Sequence, residues 1–473
     1  MESSRVLDIF KEITTIPRES GHEGPMTDWL CERAASLGLE CKRDATGNVL
    51  ISRPAAPGKE HVPAIVLQAH QDMVCEKTAG LDFDFRRDAI RYEIEDGWMI
   101  AKDTTLGADD GIGIAACIAL LEDPYPTGRI ECLFTISEET GMDGAEALKS
   151  GFFEGKTLIN LDSEDEGQLF IGCAGGLNTN VRFRFSRGGS ASKCVRCTIS
   201  GGIGGHSGDD INKGRANSVQ LMARFLYGRL AAGMQLISID GGGKPNAIAR
   251  DCEALVAVPD TDAFVSAFRS FADDLKEEFH TTDPGLEFAA SVIDGSFTPM
   301  SLSSTRRIIA SLFACPHGVQ AMSQDIPGLV QTSTNLASVH VHDDKRIVEI
   351  VTSQRSAATS ERRAIAAKVR ANFEQAGAVV RHMYEYPGWN PDVNSPILAR
   401  TVEAYRKLFG TEPQVLAIHA GLECGLFLQK FPGLDMISFG PTLRGVHAPG
   451  EKLELASMDK FVALLDEVVR NFA

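Results

Sequence analysis

Five short segments of this chain concentrate the residue types that hold metal ions. They are Leu67-Gln-Ala-His70-Gln-Asp72-Met-Val, Thr105-Leu-Gly-Ala-Asp109-Asp110-Gly111, Ser137-Glu138-Glu139-Thr-Gly141, Ile159-Asn-Leu-Asp162-Ser-Glu164 and Gly440-Pro-Thr-Leu-Arg444-Gly-Val-His447-Ala-Pro. Mixtures of imidazole and carboxylate suit zinc, manganese or cobalt. Two His, two flanking carboxylates and a further Asp are more ligands than one catalytic zinc takes. They match two ions about 3.5–4 Å apart, bridged by a carboxylate and a water. His70 and Asp72 stand two apart at a strand end and face one side. Asp72 can therefore accept the second ring N–H of His70 and orient the imidazole. Glu138 and Glu139 are adjacent and diverge, so one can bind metal while the other stays free as a base. That free carboxylate separates a hydrolytic site from a structural one.

Each piece alone has a plainer reading. An HxD or an adjacent Glu pair is ordinarily surface or capping chemistry, and Asp109-Asp110 ahead of a helix can be only an N-cap. The metal reading rests on the five together and on where they fall. His70, Glu138/Glu139 and Asp162 each follow the carboxyl end of a predicted buried strand, and His447 follows another. Open α/β sheets bind ligands outside those ends, so residues distant in sequence can converge there.

The elements that must position them alternate strand and helix over roughly the first 180 residues. Helices are predicted over 4–13, 26–37 and 109–121, and buried strands over 64–69, 132–136 and 157–161. This alternation predicts an α/β fold, an open sheet with helices on both faces. From about Arg182 the texture changes to period-two strands (194–199, 254–258) and long amphipathic helices (217–230, 262–279, 305–313, 361–376). Strands 336–341 and 347–352 flank the turn-like His342-Asp-Asp-Lys-Arg346. The order β, α, β, β, α, β is expected twice, near 190–295 and 300–387, as an α+β domain of two related halves. Pro387-Gly-Trp-Asn-Pro391 is breaker-rich, and the α/β texture returns after it with a helix over 396–408, strands over 414–417 and 435–439 and a final helix over 458–472. The simplest organisation is a catalytic domain in two parts, 1–185 and 393–473, with an inserted domain, 186–392, between them. The joins near Arg182 and Pro387 would let the insert close over a ligand.

Composition narrows the classes further. The chain has 473 residues, with 47 basic against 64 acidic side chains and a formal charge of −17. Such a surface repels phosphate backbones and anionic membranes, which argues against nucleic-acid and membrane partners. No run approaches the roughly 20 apolar residues of a membrane span. The N-terminus lacks the charged and apolar regions of a secretory signal. The 11 cysteines are odd in number and scattered, as for reduced thiols in the cytoplasm. Cys194 and Cys197 form a CxxC, but in a strand they would face opposite sides. Gly111-Ile-Gly113-Ile-Ala-Ala116 matches GxGxxA. Two carboxylates precede it and would repel a pyrophosphate, so dinucleotide binding is excluded.

The chain resembles the dinuclear-zinc exopeptidases related to aminoacylase, and among them the aminoacyl-histidine (Xaa-His, β-alanyl-histidine) dipeptidases. The resemblance spans essentially the whole chain. Besides the five segments it is carried by His70–Lys77, Thr104–Ala115, Gly204–Asn217, Pro245–Asp251 and His419–Gly425. It implies that His70 and Asp162 hold one zinc, that Glu139 and His447 hold the other, and that Asp109 bridges them across a cis Asp109–Asp110 bond. It implies that Asp72 orients His70 and that Glu138 is the general base. His206, in a glycine-rich loop, would reach a substrate carbonyl oxygen. Asn246 and Arg355 would hold a free carboxylate, for which the Arg fork is suited. Gly421 would offer its backbone. The resemblance further implies two divalent ions (zinc, with cobalt and manganese also suited), a small peptide substrate and a homodimer formed through the inserted domain. Ala249, Ala448 and Gly450 depart from the pattern and bear on substrate preference more than on chemistry. An amidase acting on N-acyl amino acids, a non-enzymatic metal-binding protein, or a peptide-binding regulator without turnover are the competing readings.

Overall fold

Four strands foreseen as buried runs lie side by side and parallel in the computed structural model, which describes residues 1–472. Ile65–His70 pairs with Ile130–Thr135 on one side and Thr157–Asn160 on the other, and Asp435–Ser438 continues the parallel set beyond Thr157–Asn160. Every residue of Ile65–His70 and Ile130–Thr135 is buried, as expected of parallel strands covered on both faces. Edge strands extend this into an eight-stranded mixed sheet, through Val49–Arg53 and Glu40–Arg43 on one flank and Gln168–Cys173 and Gln414–Ile418 on the other. The parallel register puts the carboxyl ends of the four central strands along one margin.

Helix Ala108–Glu122 is buried from Ala108 to Leu121 and packs on Ser3–Ile13 and on strand Ile65–His70. Its glycines serve this packing. A Cβ at Gly111 would strike the Phe10 ring, and one at Gly113 would strike the Asp110 carboxylate. A smaller four-stranded sheet went unforeseen. It joins the hairpin Tyr92–Glu95/Trp98–Ala101 to Leu443–Arg444 and Lys452–Glu454. The hairpin turn is Asp96-Gly97, both with positive φ (49° and 83°), the conformation a two-residue turn between antiparallel strands requires.

The chain forms two compact units. The first comprises Met1–Cys173, Trp389–Ala417 and the residues from Leu422 onward; the second comprises Ala174–Gly388 with Ile418–Gly421. The crossing falls at Cys173/Ala174 rather than at 185/186, because Gly175–Arg184 is laddered on both sides, to Ile347–Ser356 and Val379–Tyr386. Arg182 therefore lies inside a doubly paired strand and not at a join. The return falls at Gly388/Trp389 rather than at 392/393, where Cys173 and Trp389 exchange backbone hydrogen bonds of 2.9 Å.

The second unit is built on a nine-stranded sheet. Ala191–Ser200, helix Ser218–Tyr227, Gln235–Gly242, Cys252–Ala257, helix Thr261–Glu278 and Glu287–Phe297 realise the first β, α, β, β, α, β group. Its strands stand in the spatial order fourth, first, third, second. The second group is not contiguous over 300–387. Residues 302–386 supply helix Leu302–Ala314, strands Gly318–Met322, Val330–His342 and Ile347–Ser356, helix Thr359–Glu374 and Val379–Tyr386, while the opening strand is Gly175–Arg184. The first group is thus inserted into the second, and the two meet where Gly241 and Gly242 pair with Val339 and Ser338. One apolar core underlies both groups and includes Cys197, Ala249, Leu336 and Ile350. Cys194 packs in a separate cluster with Ile237 and Ala257, so the CxxC cysteines do face apart. All eleven cysteines are unbridged. Among the described residues, no helix is long and apolar enough to cross a membrane.

Candidate active site

The margin of the first unit's sheet gathers the five segments. His70 is the last residue of its strand, and Asp162 follows Thr157–Asn160 by two. Asp109 enters helix Ala108–Glu122 across a cis bond to Asp110. Ser137 turns the chain with φ +51°, so that the short helix Glu138–Gly141 starts at the same margin. His447 lies on the loop between Leu443–Arg444 and Lys452–Glu454, with φ +64°.

Asp109 lies between the two imidazoles. Its Oδ1 is 2.8 Å from His70 Nε2 and its Oδ2 is 3.1 Å from His447 Nε2. Asp162 Oδ1 is 3.6 Å from His70 Nε2, and Glu139 Oε2 is 3.0 Å from His447 Nε2. Ligands held tetrahedrally on bonds of about 2.0–2.1 Å stand roughly 3.3 Å apart, so these separations fit donors arrayed around ions. The donor set is also the one such ions need. His70, Asp109 and Glu139 form one three-ligand group, and His70, Asp110 and Asp162 form another. Asp110 was foreseen only as a cap. It does cap the helix, since its Oδ1 accepts the Gly113 N–H at 3.1 Å, while its Oδ2 is buried without a partner.

Asp72 does more than face His70. His70 Nδ1 lies 3.3 Å from Asp72 Oδ1 but without the alignment of a hydrogen bond. The Asp72 carboxylate accepts the backbone N–H of Glu138 (3.0 Å), that of Glu139 (3.2 Å) and the hydroxyl of Ser20 (2.7 Å). One buried side chain thus fixes the turn carrying both glutamates. Glu23 holds that turn from the other side, accepting the N–H and hydroxyl of Ser137.

The electrostatics are those of an anion-rich cluster. Burial pushes Glu138 well above the carboxylate range, helped by Asp162, Glu423 and Glu139 and opposed by His70. Burial and then Asp109 raise Asp162 to about 7. Burial acts against Asp109 ionising, but hydrogen bonds with His447 and His70 hold it well below the usual range. Hydrogen bonds with Asp109 and Glu139 raise His447 to about 11. Carboxylates so crowded lack positive charge, which divalent cations would supply.

Behind the candidate ligands, a chain of buried polar side chains crosses the central strands. Glu423 Oε2 accepts from Gln68 (2.6 Å) and Thr135 (2.9 Å). Gln68 accepts from Asn160 (2.6 Å), Asn160 accepts from Ser438 (2.5 Å), and Ser438 meets Ser163 at 2.6 Å. This line was missed; its only signal was polar residues inside otherwise apolar strands.

The second unit assembles a different group. Arg355 is buried, with Nη1 donating to the Tyr386 hydroxyl (3.2 Å) and Nη2 lying 3.4 Å from His206 Nε2. His206 Nδ1 is 3.2 Å from Asp209 Oδ2. His419 Nε2 meets Ser333 Oγ at 2.7 Å. Burial, then the charge of Arg355, lowers His419 to about 3. Gly421 lies against the Tyr386 ring, where a Cβ would come within 3.0 Å. Asn246 has an exposed side chain, and its backbone carbonyl accepts the Ser207 N–H at 2.8 Å. Asn335 fixes that segment by donating to the carbonyls of Pro245 (3.2 Å) and Ala247 (2.8 Å). Arg355 Nε, Ser207 Oγ and Asn335 Oδ1 are buried without partners. Tyr386, Ser333, Asn335 and His419 were not foreseen as site residues. Ala249 is buried in the core, and Gly450 has φ +87°, a conformation that favours glycine.

Residues 66–471 match the pattern of peptidase family M20/M25/M40. The sequence is similar to the cytosol non-specific dipeptidase of Escherichia coli (strain K12), 36% identical over 470 residues, or 98% of this chain and 96% of that protein. The fold is similar to that of the aminoacylhistidine dipeptidase of Vibrio alginolyticus, with a TM-score of 0.92 and 36% identity, covering 99% of this chain and 97% of that one. Aminopeptidase PepT of Bacillus cereus shares the fold at a TM-score of 0.60 and 18% identity.

Proposed function

The chain belongs to peptidase family M20/M25/M40, and on that premise we propose that it is a metal-dependent dipeptidase acting on peptides with a free N-terminus, Xaa-His among them. The observation that carries the reading is the Asp109 carboxylate, with one oxygen toward His70 and the other toward His447. His70 with Asp162, and Glu139 with His447, would hold two divalent ions, zinc first, with Asp109 shared. When bound, such ions polarise a carbonyl and bring the pKa of water toward about 7.

The chain's own groups do the rest. Glu138 takes the proton of the attacking water and returns it to the leaving amine. Asp72 keeps Glu138 and Glu139 in register through their backbone N–H groups. His206 donates to the developing oxyanion. Arg355, Asn246 and the Gly421 backbone receive the substrate carboxylate, with Arg355 Nε and Ser207 Oγ as unspent donors. A cytosolic homodimer formed through the second unit completes the proposal.

The test is hydrolysis of β-Ala-His, Gly-His, Leu-Leu, a tripeptide and an N-acetyl amino acid by purified protein, with and without chelator. Chelator-sensitive cleavage of the dipeptides, fastest for Xaa-His, is expected. Cleavage of the acylated compound alone would make the protein a deacylase. No cleavage by fully metallated protein would overturn the enzymatic reading.

A further inference from the structure

Two buried charges flank the loop that delivers Asp109, and none of the roles above uses them. Arg18 is 2% exposed, and Nη1 donates to the carbonyls of Gln71 (3.1 Å) and Asp72 (2.6 Å). Its Nη2 donates to the carbonyl of Gly107. Glu451 is also 2% exposed. Its carboxylate accepts the N–H groups of Leu106 (2.7 Å), Gly107 (2.9 Å) and Ala108 (2.8 Å).

The peptide unit between Gly107 and Ala108 is therefore held at both ends, its oxygen on a guanidinium and its N–H on a carboxylate. Its dipole lies along the field of the two charges. Gly107 has φ +70°, and a Cβ there would strike the Arg18 guanidinium and Met73, so the loop has one way to pass between them. Asp109 follows this peptide directly.

The same two side chains reach the other ligand segments. Gln71 and Asp72, whose carbonyls Arg18 binds, come immediately after His70. Glu451 stands four residues after His447, and its backbone is fixed by N–H to Ala448 O (3.1 Å) and by its carbonyl to Ala101 N–H (3.0 Å). Three ligand-bearing segments, far apart in sequence, are thus joined by one guanidinium, one carboxylate and one peptide.

We propose that Arg18 and Glu451 are positioning residues that set the spacing of His70, Asp109 and His447, and so the affinity of the centre for its shared-carboxylate metal pair. Neither touches the ions or the substrate. The inference rests on the dinuclear reading above. Groups that orient metal ligands typically change affinity by about 10–100-fold when altered. Glu451→Gln keeps the shape, removes the charge, and puts an NH₂ against backbone donors. Arg18→Lys keeps the charge and removes the fork that spans three carbonyls.

The experiment is a titration of zinc into metal-stripped wild type, Glu451→Gln and Arg18→Lys, with apoprotein melting and steady-state kinetics alongside. Wild type is expected to bind two zinc ions. The variants are expected to melt as folded apoproteins and to bind at least one zinc about 10–100-fold more weakly. They should lose kcat at limiting zinc, recover it with excess zinc, and keep the dipeptide KM. Wild type binding no zinc would sink the dinuclear reading itself. Wild type binding two ions, with folded variants binding them equally well, would overturn this inference alone. So would lost activity that excess zinc does not restore, or failure of both variants to fold, which would make the pair a folding determinant only.

Discussion

The two side-chain groups differ in the charge they lack. In the first unit, carboxylates crowd two imidazoles, and burial together with neighbouring acids drives Asp162 up to about 7. In the second unit, burial together with Arg355 and His206 drives His419 down to about 3. Burial acts first in both; neighbouring acids add to it at Asp162, and Arg355 and His206 add to it at His419 against the opposing charge of Asp209. The first is thereby suited to cations and the second to an anionic ligand end. The contrast teaches that opposite pKa displacements on one chain mark two different tasks.

The most severe way to break this comparison is at the first cluster. Glu138→Gln is expected to lower kcat about 10²–10⁴-fold, the usual contribution of a positioned acid–base group, while zinc titration still gives wild-type binding. Full activity with normal metal content would show that the base is elsewhere.

His206→Ala comes next. Loss of a donor to an oxyanion costs about 10²–10³ in kcat, so kcat should fall by that order with little change in KM. A change confined to KM would make His206 a ground-state contact.

Arg355→Ala should act mainly on KM. A hydrogen bond to a charged group contributes about 1.5–3 kcal/mol, roughly a 10–150-fold loss in kcat/KM. A dipeptide C-terminal amide should lose a similar factor with wild type and little more with the variant. If the amide and the free acid are still discriminated by Arg355→Ala, another group reads the carboxylate.

The mildest test concerns pH. The folded-state pKa of His419 lies at about 3, below the ordinary value of about 6.5, with Arg355, His206 and Asp209 as the charges around it. As pH falls below about 6.5 the unfolded chain binds the proton first. Stability from this group is therefore complete above that value and is lost as pH falls toward about 3. Denaturant unfolding from pH 7 to 4 should show a shallower decline in His419→Gln, by up to one proton's slope. Equal slopes would show that His419 titrates normally.

Much of the first unit was legible because its signals are local. Buried parallel strands read as short apolar runs, and the residue types that follow each run identify the margin. The second unit was less legible. Gly175–Arg184 pairs with strands about 160–210 positions later, and no local pattern shows that pairing. The inserted order of the two strand groups therefore went unseen, and the join was placed inside a ladder. The Tyr92–Ala101 hairpin was missed although Asp96-Gly97 is a recognised turn pair, because its strands are only four residues long and the first is mostly exposed.

By itself, the sequence brought forward the candidate donors, His70, Asp109, Glu139, Asp162 and His447, with Asp72 and Glu138 beside them, and the family resemblance proposed their roles. Residue type and place after a strand decide what chemistry is available, and both are written along the chain. Only the tertiary structure decided how those donors are held. Nothing local assigns a role to Arg18, Glu23, Glu423 or Glu451, since each acts by meeting backbone or side chains distant in sequence. A buried charge has meaning only through its partners, and those partners exist only once the chain has folded.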